Sequence, residues 1–177
     1  FATGVSIFGF SIFIAPMESE LGWTRSTFFL ALTIRSLFGG FTAFFLGPLQ
    51  DTKRGPQILM LVSSVLLGLS LVALKFVHSP FQFYLLFGVM GALSFTGAGP
   101  LLGAAVLPKW FIKKRGRALG IASMGSALGP LLFPVSLQFI VDSVGWRDAW
   151  MVLGITAMLF LVPLSLLIRT QPEDLGL

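Results

Sequence analysis

The sequence predicts an all-α membrane protein of six transmembrane helices, and three observations carry that prediction. Of 177 residues, 55% are hydrophobic and 11% charged, with a mean hydropathy of +0.92. A soluble domain carries about 25% charge, so this chain has too few charges to cover a surface that faces water. Second, the apolar residues gather in runs long enough for the roughly 20 that cross a hydrocarbon core. They lack the strict alternation of a transmembrane barrel strand. Third, cations collect at the ends of these runs, most densely at Lys109, Lys113, Lys114, Arg115 and Arg117. A short, cation-rich loop between two spans is retained in the cytoplasm, and that loop orients the rest of the chain.

The first span covers about residues 1–17 (FATGVSIFGFSIFIAPM). It starts at Phe1 inside an apolar run, without a methionine, a basic n-region or a small-residue cleavage site. It therefore reads as a truncated helix and not as a signal peptide. The polar turn Glu18–Arg25 follows, with Trp23 placed for an interface. Span two, about 26–49, has Thr24 or Ser26 as N-cap and ends in Gly47-Pro48 and a charged turn. Span three is about 57–77, closed by His78-Ser79-Pro80. Span four is about 81–108, span five about 117–141 and span six about 149–168, with Val144–Asp148 between the last two. Arg169–Leu177 is a polar tail whose end is expected to be truncated as well.

The charges test this count. Turns 50–56 and 109–117 and the tail hold Lys53, Arg54, Lys109, Lys113, Lys114, Arg115, Arg117 and Arg169, eight cations; the alternate turns hold Arg25, Lys75 and Arg147, three. Such asymmetry places the first set inside. Both termini are then cytoplasmic, in a multi-pass protein of the cell (inner or plasma) membrane. The net charge of +5 does not indicate nucleic acid, because the cations sit at the ends of apolar runs and form no solvated face. There are no cysteines, so disulfides and thiolate chemistry are excluded. No metal-ligand spacing, nucleophile–base pair or phosphate-binding loop occurs, so neither an enzyme nor a cofactor is expected. His78 stands alone in an outer turn.

Arg35 is the most informative residue. It lies about nine residues inside span two, about 14 Å deep at 1.5 Å per residue. All seven acids lie in turns or the tail, so none accompanies Arg35 at membrane depth, and no proton relay is expected there. Phe28, Ala31, Gly39 and Thr42 share its face. Two roles follow for a buried cation. Arg35 binds an anionic substrate, for which its planar fork suits a carboxylate, or it pairs with backbone carbonyls or with an acid outside this chain. Thr42, Ser94 and Thr96 are candidate substrate contacts, although packing is the default for the small residues of span four. Ser6, Ser11, Tyr84, Ser123 and Gln138 are weaker candidates. In span five, Gly116, Gly120, Gly125 and Gly129 permit close helix packing, while Pro130 and Pro134 remove backbone donors and should kink the outer half.

The turn Gly47-Pro48-Leu49-Gln50-Asp51-Thr52-Lys53-Arg54-Gly55 is either a solvated loop or the seat of an ion pair at Asp51 that locks two bundles together. With six spans and a second basic loop after the fourth, it resembles the major facilitator superfamily. That family's turn reads G-x-L-x-D-R-x-G-R-R; Gly47, Leu49 and Asp51 match, Thr52 replaces the arginine, and Gly55 comes one residue late. Gly116, Gly125, Gly129 and Pro130 match the family's antiporter motif, with Phe133 and Pro134 in place of its final glycine pair. Phe87 stands where proton-coupled exporters carry an arginine. LGWTRS, WFIKKRGRALGI and QPEDLGL are similar to the branch of monocarboxylate transporters and oxalate/formate antiporters.

The resemblance implies that the chain is the amino-terminal half of a twelve-helix fold, each half a 3+3 inverted repeat. A carboxy-terminal six-helix half outside this chain is the implied partner, together with the lipid bilayer. The implied activity is alternating-access transport of small organic anions, with Arg35 as the substrate or gating cation. Asp51, Lys53, Arg54, Arg115 and Arg117 would then gate the cytoplasmic side. The rivals are an exporter of drugs or other small molecules and a non-transporting scaffold or accessory subunit.

Overall fold

The computed structural model describes residues 9–52, 54–98 and 115–167. Among these every regular element is helical. The first, α1 (Phe10–Leu21), ends at Gly22, whose φ of 67° lets its N–H return to the Glu18 carbonyl at 3.1 Å. That left-handed cap is open to glycine at no steric cost. Helix α2 (Arg25–Leu46) starts after Thr24, which takes the extended N-cap conformation without a side-chain cap. A 3-10 turn, Pro48–Asp51, leads into α3 (Gly55–Leu74), where Pro56 sits in the first turn with no N–H to leave unsatisfied.

Helix α4 has three parts: Pro80–Phe83, a π-helical stretch Tyr84–Met90, and Gly91–Ala98. A capping box starts it. The Ser79 hydroxyl accepts from the Gln82 N–H at 3.3 Å, and the Gln82 side chain accepts from the Ser79 N–H at 3.3 Å. The last element, Arg115–Leu167, is broken at Gly145 (φ 80°, ψ 162°), giving α5 before that glycine and α6 after it. Helix α5 runs through both Pro130 and Pro134; the departure from helical dihedrals comes at Gly145.

Among the described residues three stretches are long and apolar enough to cross a membrane: Arg25–Leu46, Gly55–Leu74 and Phe133–Leu166. Pro80–Phe95 is apolar but shorter. A shared core runs between them. Phe10, Phe13 and Met17 of α1 meet Leu67, Leu71 and Leu74 of α3, Phe83 and Phe87 of α4, and Trp150 and Leu153 of α6. The Trp150 ring stacks on Phe13 at 3.8 Å. Because apolar surface gains little by leaving lipid, close contact comes from small residues. A Cβ on Gly154 of α6 would stand 2.7 Å from the Gly68 carbonyl and 2.9 Å from the Val72 nitrogen. Backbone thus touches backbone at the α3–α6 crossing.

Candidate functional site

Arg35 lies near the middle of α2, half-buried, with its side chain turned to α4. The guanidinium carbon sits 4.9 Å from the centre of the Phe87 ring and 5.8 Å from that of Phe95. Gly91 lies beneath it, and a Cβ there would come within 3.2 Å of Nη1. One turn earlier Gly88 has the same relation to Ile34, whose Cγ2 would be 2.8 Å away. Two glycines therefore let α2 lie close on α4, and the cation settles over aromatic faces, an attraction that grows as water is removed. A turn further along α2, a Cβ on Gly39 or Gly40 would meet none of the described residues within 4 Å.

The hydroxyls near this level are turned to their own helices. Ser94 is fully buried and donates to the Met90 carbonyl at 2.7 Å; Thr42 donates to the Gly39 carbonyl at 3.1 Å. Such back-bonding satisfies a hydroxyl in a medium without water. Ser63 of α3 reaches across to the Leu93 carbonyl at 3.4 Å. Thr96 belongs to α4, and its side-chain surroundings lie outside the described residues.

In the turn after α2, Thr52 donates to the Leu49 carbonyl at 2.8 Å, closing the 3-10 turn that ends at Asp51. A Cβ on Gly55 would collide with the Leu49 carbonyl and the Thr52 hydroxyl. The glycine is needed where this chain has it. Gly47 continues from α2 into the turn, and Arg54 is exposed. The Asp51 side chain and Lys53 lie outside the described residues, as do residues 99–114. Arg115 and Arg117 begin α5, Arg117 exposed; Gly125, Gly129 and Pro130 are in α5, with surroundings outside the described residues. Gln57 ties this end of α3 to α6, donating to the Leu166 carbonyl at 3.2 Å.

At the other end, the three turns with few cations come together. Glu20 accepts from Trp146 Nε1 at 2.6 Å and from Arg147 Nε at 2.9 Å. Arg147 Nη1 also donates to the carbonyls of Lys75 at 2.7 Å and Val77 at 3.2 Å. The Lys75 ammonium pairs with Asp148 at 2.7 Å. Hydrogen bonds from Arg147 and Trp146 hold the Glu20 carboxyl below its ordinary value. Counting cations alone missed this cluster. Its signal was there: the same turns hold Glu18, Glu20, Asp142 and Asp148 beside Arg25, Lys75 and Arg147, acids enough to pair every cation. A shallow cleft of about 250 Å³ opens near this end, lined by Ser11, Ile14, Ala15, Glu18, Arg25 and Phe29. It does not include Arg35. Among the described residues no cluster of three or more His, Asp or Glu could hold a metal ion.

The chain is similar to "MFS-type transporter pynF" of Aspergillus niger, 31% identical over 163 residues, which cover 90% of this chain and 35% of that protein. It is 35% identical over 127 residues to "Monocarboxylate transporter 11" of Mus musculus, covering 70% of this chain and 27% of the relative. With the "Probable L-galactonate transporter" of Escherichia coli it shares 28% identity over 158 residues, 88% of this chain and 34% of the relative. The chain thus spans about a third of the length of these curated relatives. The sequence profile of the Major Facilitator Superfamily matches residues 1–176; an apolar, helical chain with such relatives belongs to that superfamily of membrane transporters.

Proposed function

We propose that the chain is the amino-terminal six-helix half of a secondary transporter of small organic anions, mono- or dicarboxylates, working by alternating access. The observation that carries this is Arg35: a cation at mid-helix, seated on Phe87 and Phe95, with none of the described residues within 4 Å of a Cβ on Gly39 one turn away. The spacing of Arg35 from the start of α2 puts it about 15 Å along the helix axis, half of a roughly 30 Å core. A carboxylate entering that medium loses its water, and a guanidinium already there compensates through paired N–H donors. The names of two relatives, which specify a monocarboxylate and L-galactonate, support the same substrate class.

Thr42, Ser94 and Thr96 stand near the site as second-rank contacts, since Thr42 and Ser94 must first release a backbone carbonyl. The cytoplasmic gate is assigned to Asp51 with Lys53, Arg54, Arg115 and Arg117 and to the packing of Gly47, Gly55, Gly125, Gly129 and Pro130. The clustered turns at Glu20, Lys75 and Arg147 then lie outside, both termini inside, and the fold is a 3+3 inverted repeat completed by a second half.

The experiment is uptake of labelled lactate, formate and oxalate by the full-length protein in liposomes, with and without internal counter-anion. Wild type should show uptake stimulated by counter-anion, and Arg35→Ala should lose it by at least about tenfold, the cost of removing one charged hydrogen-bond partner. Undiminished uptake in the variant would sink the assignment. If a neutral compound is carried and Arg35→Ala leaves its transport intact, an exporter of uncharged molecules is favoured instead.

A further inference from the structure

The π-helical stretch Tyr84–Met90 has no obvious cause in its sequence: YLLFGVM holds no proline. Such turns are rare and occur at functional sites more often than chance allows. Its effect here is geometric. Phe83, Phe87, Gly91 and Phe95 recur every four residues. In a plain α-helix each such step drifts by about 40° around the axis, at 3.6 residues per turn. The wider i→i+5 turn holds more residues and counters that drift. The four positions accordingly stay on one strip. Phe83 and Phe87 stack at 5.3 Å with planes 5° apart, and the Arg35 guanidinium lies 4.9 and 5.8 Å from the ring centres of Phe87 and Phe95, where a Cβ on Gly91 would come within 3.2 Å of Nη1.

We infer that Phe87, presented by this π-turn, is the positioning residue of the Arg35 site, holding the guanidinium by its flat face so that its N–H edge meets the carboxylate. This rests on the anion-binding role proposed for Arg35. Phe87 is itself fixed from three sides. Phe10 of α1 stacks on it at 4.4 Å, Phe83 lies one turn before it, and Trp150 of α6 meets it edge-on at 6.4 Å. The ring cannot swing away, so the cation resting on it keeps its orientation. Gly91 completes the seat, because a Cβ there would press on Nη1. A lysine lacks the planar face that such a seat grips. The site therefore discriminates arginine from lysine through Phe87, and that is a property packing alone does not confer.

The test is a double-mutant cycle on uptake by the full-length protein in liposomes, using whichever of lactate, formate and oxalate the wild type takes up. Arg35→Lys is expected to raise KM about tenfold, the size of one desolvated cation–aromatic contact and its geometry. In a Phe87→Met background, which keeps the volume and removes the ring, the same Arg35→Lys change should raise KM less than about threefold. An equal Arg-to-Lys ratio in both backgrounds overturns the positioning role while leaving Arg35 as the anion site. Should Phe87→Met fail to fold, Gly91→Ala decides: a raised KM with kcat unchanged supports the seat, and an unchanged KM overturns it. An unchanged KM in Arg35→Lys overturns the positioning role alone, because lysine keeps the charge; an unchanged KM in Arg35→Ala, or uptake of none of the three anions, retires the anion site and this inference with it.

Discussion

Helices α2 and α3 are both long and apolar enough to cross a bilayer, yet they are used in opposite ways. In the most apolar window of α2 6% of residues are buried, against 44% in α3. The buried residues of α3 include Ser63, Ser64, Gly68 and Ser70, while α2 turns Phe29, Phe38, Phe41, Phe44 and Phe45 outward. Mean hydropathies of 1.7 and 2.3 rank the two helices but do not separate their roles. Size does. In lipid, burying a phenylalanine gains little, whereas a small residue lets two backbones meet. Apolarity decides which helices enter the membrane, and small residues decide which becomes central. Polar hydroxyls are no obstacle, because Ser64 and Ser70 return their protons to carbonyls of their own helix at 2.6 and 2.9 Å.

The hardest blow to that contrast falls on the α3–α6 crossing. Gly154→Leu places its side chain against the Gly68 carbonyl and against Val72, whose Cγ2 a Cβ would already approach at 2.7 Å. Backbone cannot yield as a flexible side chain does, so the loss should reach about 3 kcal/mol or more, the upper end for overpacking. Thermal unfolding in detergent reads it directly, and an unchanged Tm would mean that the crossing is looser than its geometry. A smaller loss is expected at the end of the same helices. Arg147→Ala removes the Arg147 bonds to Glu20 and to the carbonyls of Lys75 and Val77 together, leaving Trp146–Glu20 and Lys75–Asp148 to tie α6 to the ends of α1 and α3. With Arg147 a quarter exposed and Glu20 half exposed, solvent screening reduces the cost to about 1–2 kcal/mol.

Much of this was legible beforehand, for physical reasons. Membrane insertion depends on run length and charge placement, both linear properties, so the apolar runs of α2 and α3 show directly in the sequence, whereas the polar turn expected from Glu18 starts later, because Glu18–Leu21 continue α1. Arg35 stood out because a guanidinium at that depth is costly wherever it occurs. What it rests on was not visible. Phe87 first drew notice as the residue standing where exporters carry an arginine, and nothing in YLLFGVM announces a π-turn. Phe83, Phe87, Gly91 and Phe95 would drift apart along an ordinary helix, and the π-helical Tyr84–Met90 counters that drift here. The Gly68–Gly154 contact was hidden for another reason. It joins two helices far apart in the chain, and glycines in span five carried the more familiar spacing. Thr52 teaches the reverse lesson: a departure from the family's turn has its own local role, a hydrogen bond to the Leu49 carbonyl.

Acidity should loosen the same end cluster in a defined direction. The Glu20 carboxyl is held below its ordinary value by its hydrogen bonds from Arg147 and Trp146. A depressed folded-state value stabilises above the unfolded value, about pH 4.3 for glutamate, and that stabilisation is lost as pH falls through the folded value. Wild type should therefore lose Tm between about pH 5 and pH 3 more steeply than Glu20→Gln, which keeps a carbonyl acceptor but cannot titrate. Parallel curves would place the acid sensitivity elsewhere.

The smallest effect belongs to α2. Nothing among the described residues would stand within 4 Å of a Cβ on Gly40, so Gly40→Ala meets no resistance there. Alanine also costs less backbone entropy in a helix, by about 0.5–1 kcal/mol. The variant should unfold at the same temperature as wild type or slightly above it. The same change at Gly154 would press on a neighbouring backbone, so one substitution made at two glycines separates the open helix from the gripped one. If Gly40→Ala instead lowers Tm, a surface not among the described residues lies against α2 at that point, and the contrast between the two helices narrows to the part of α2 around Arg35.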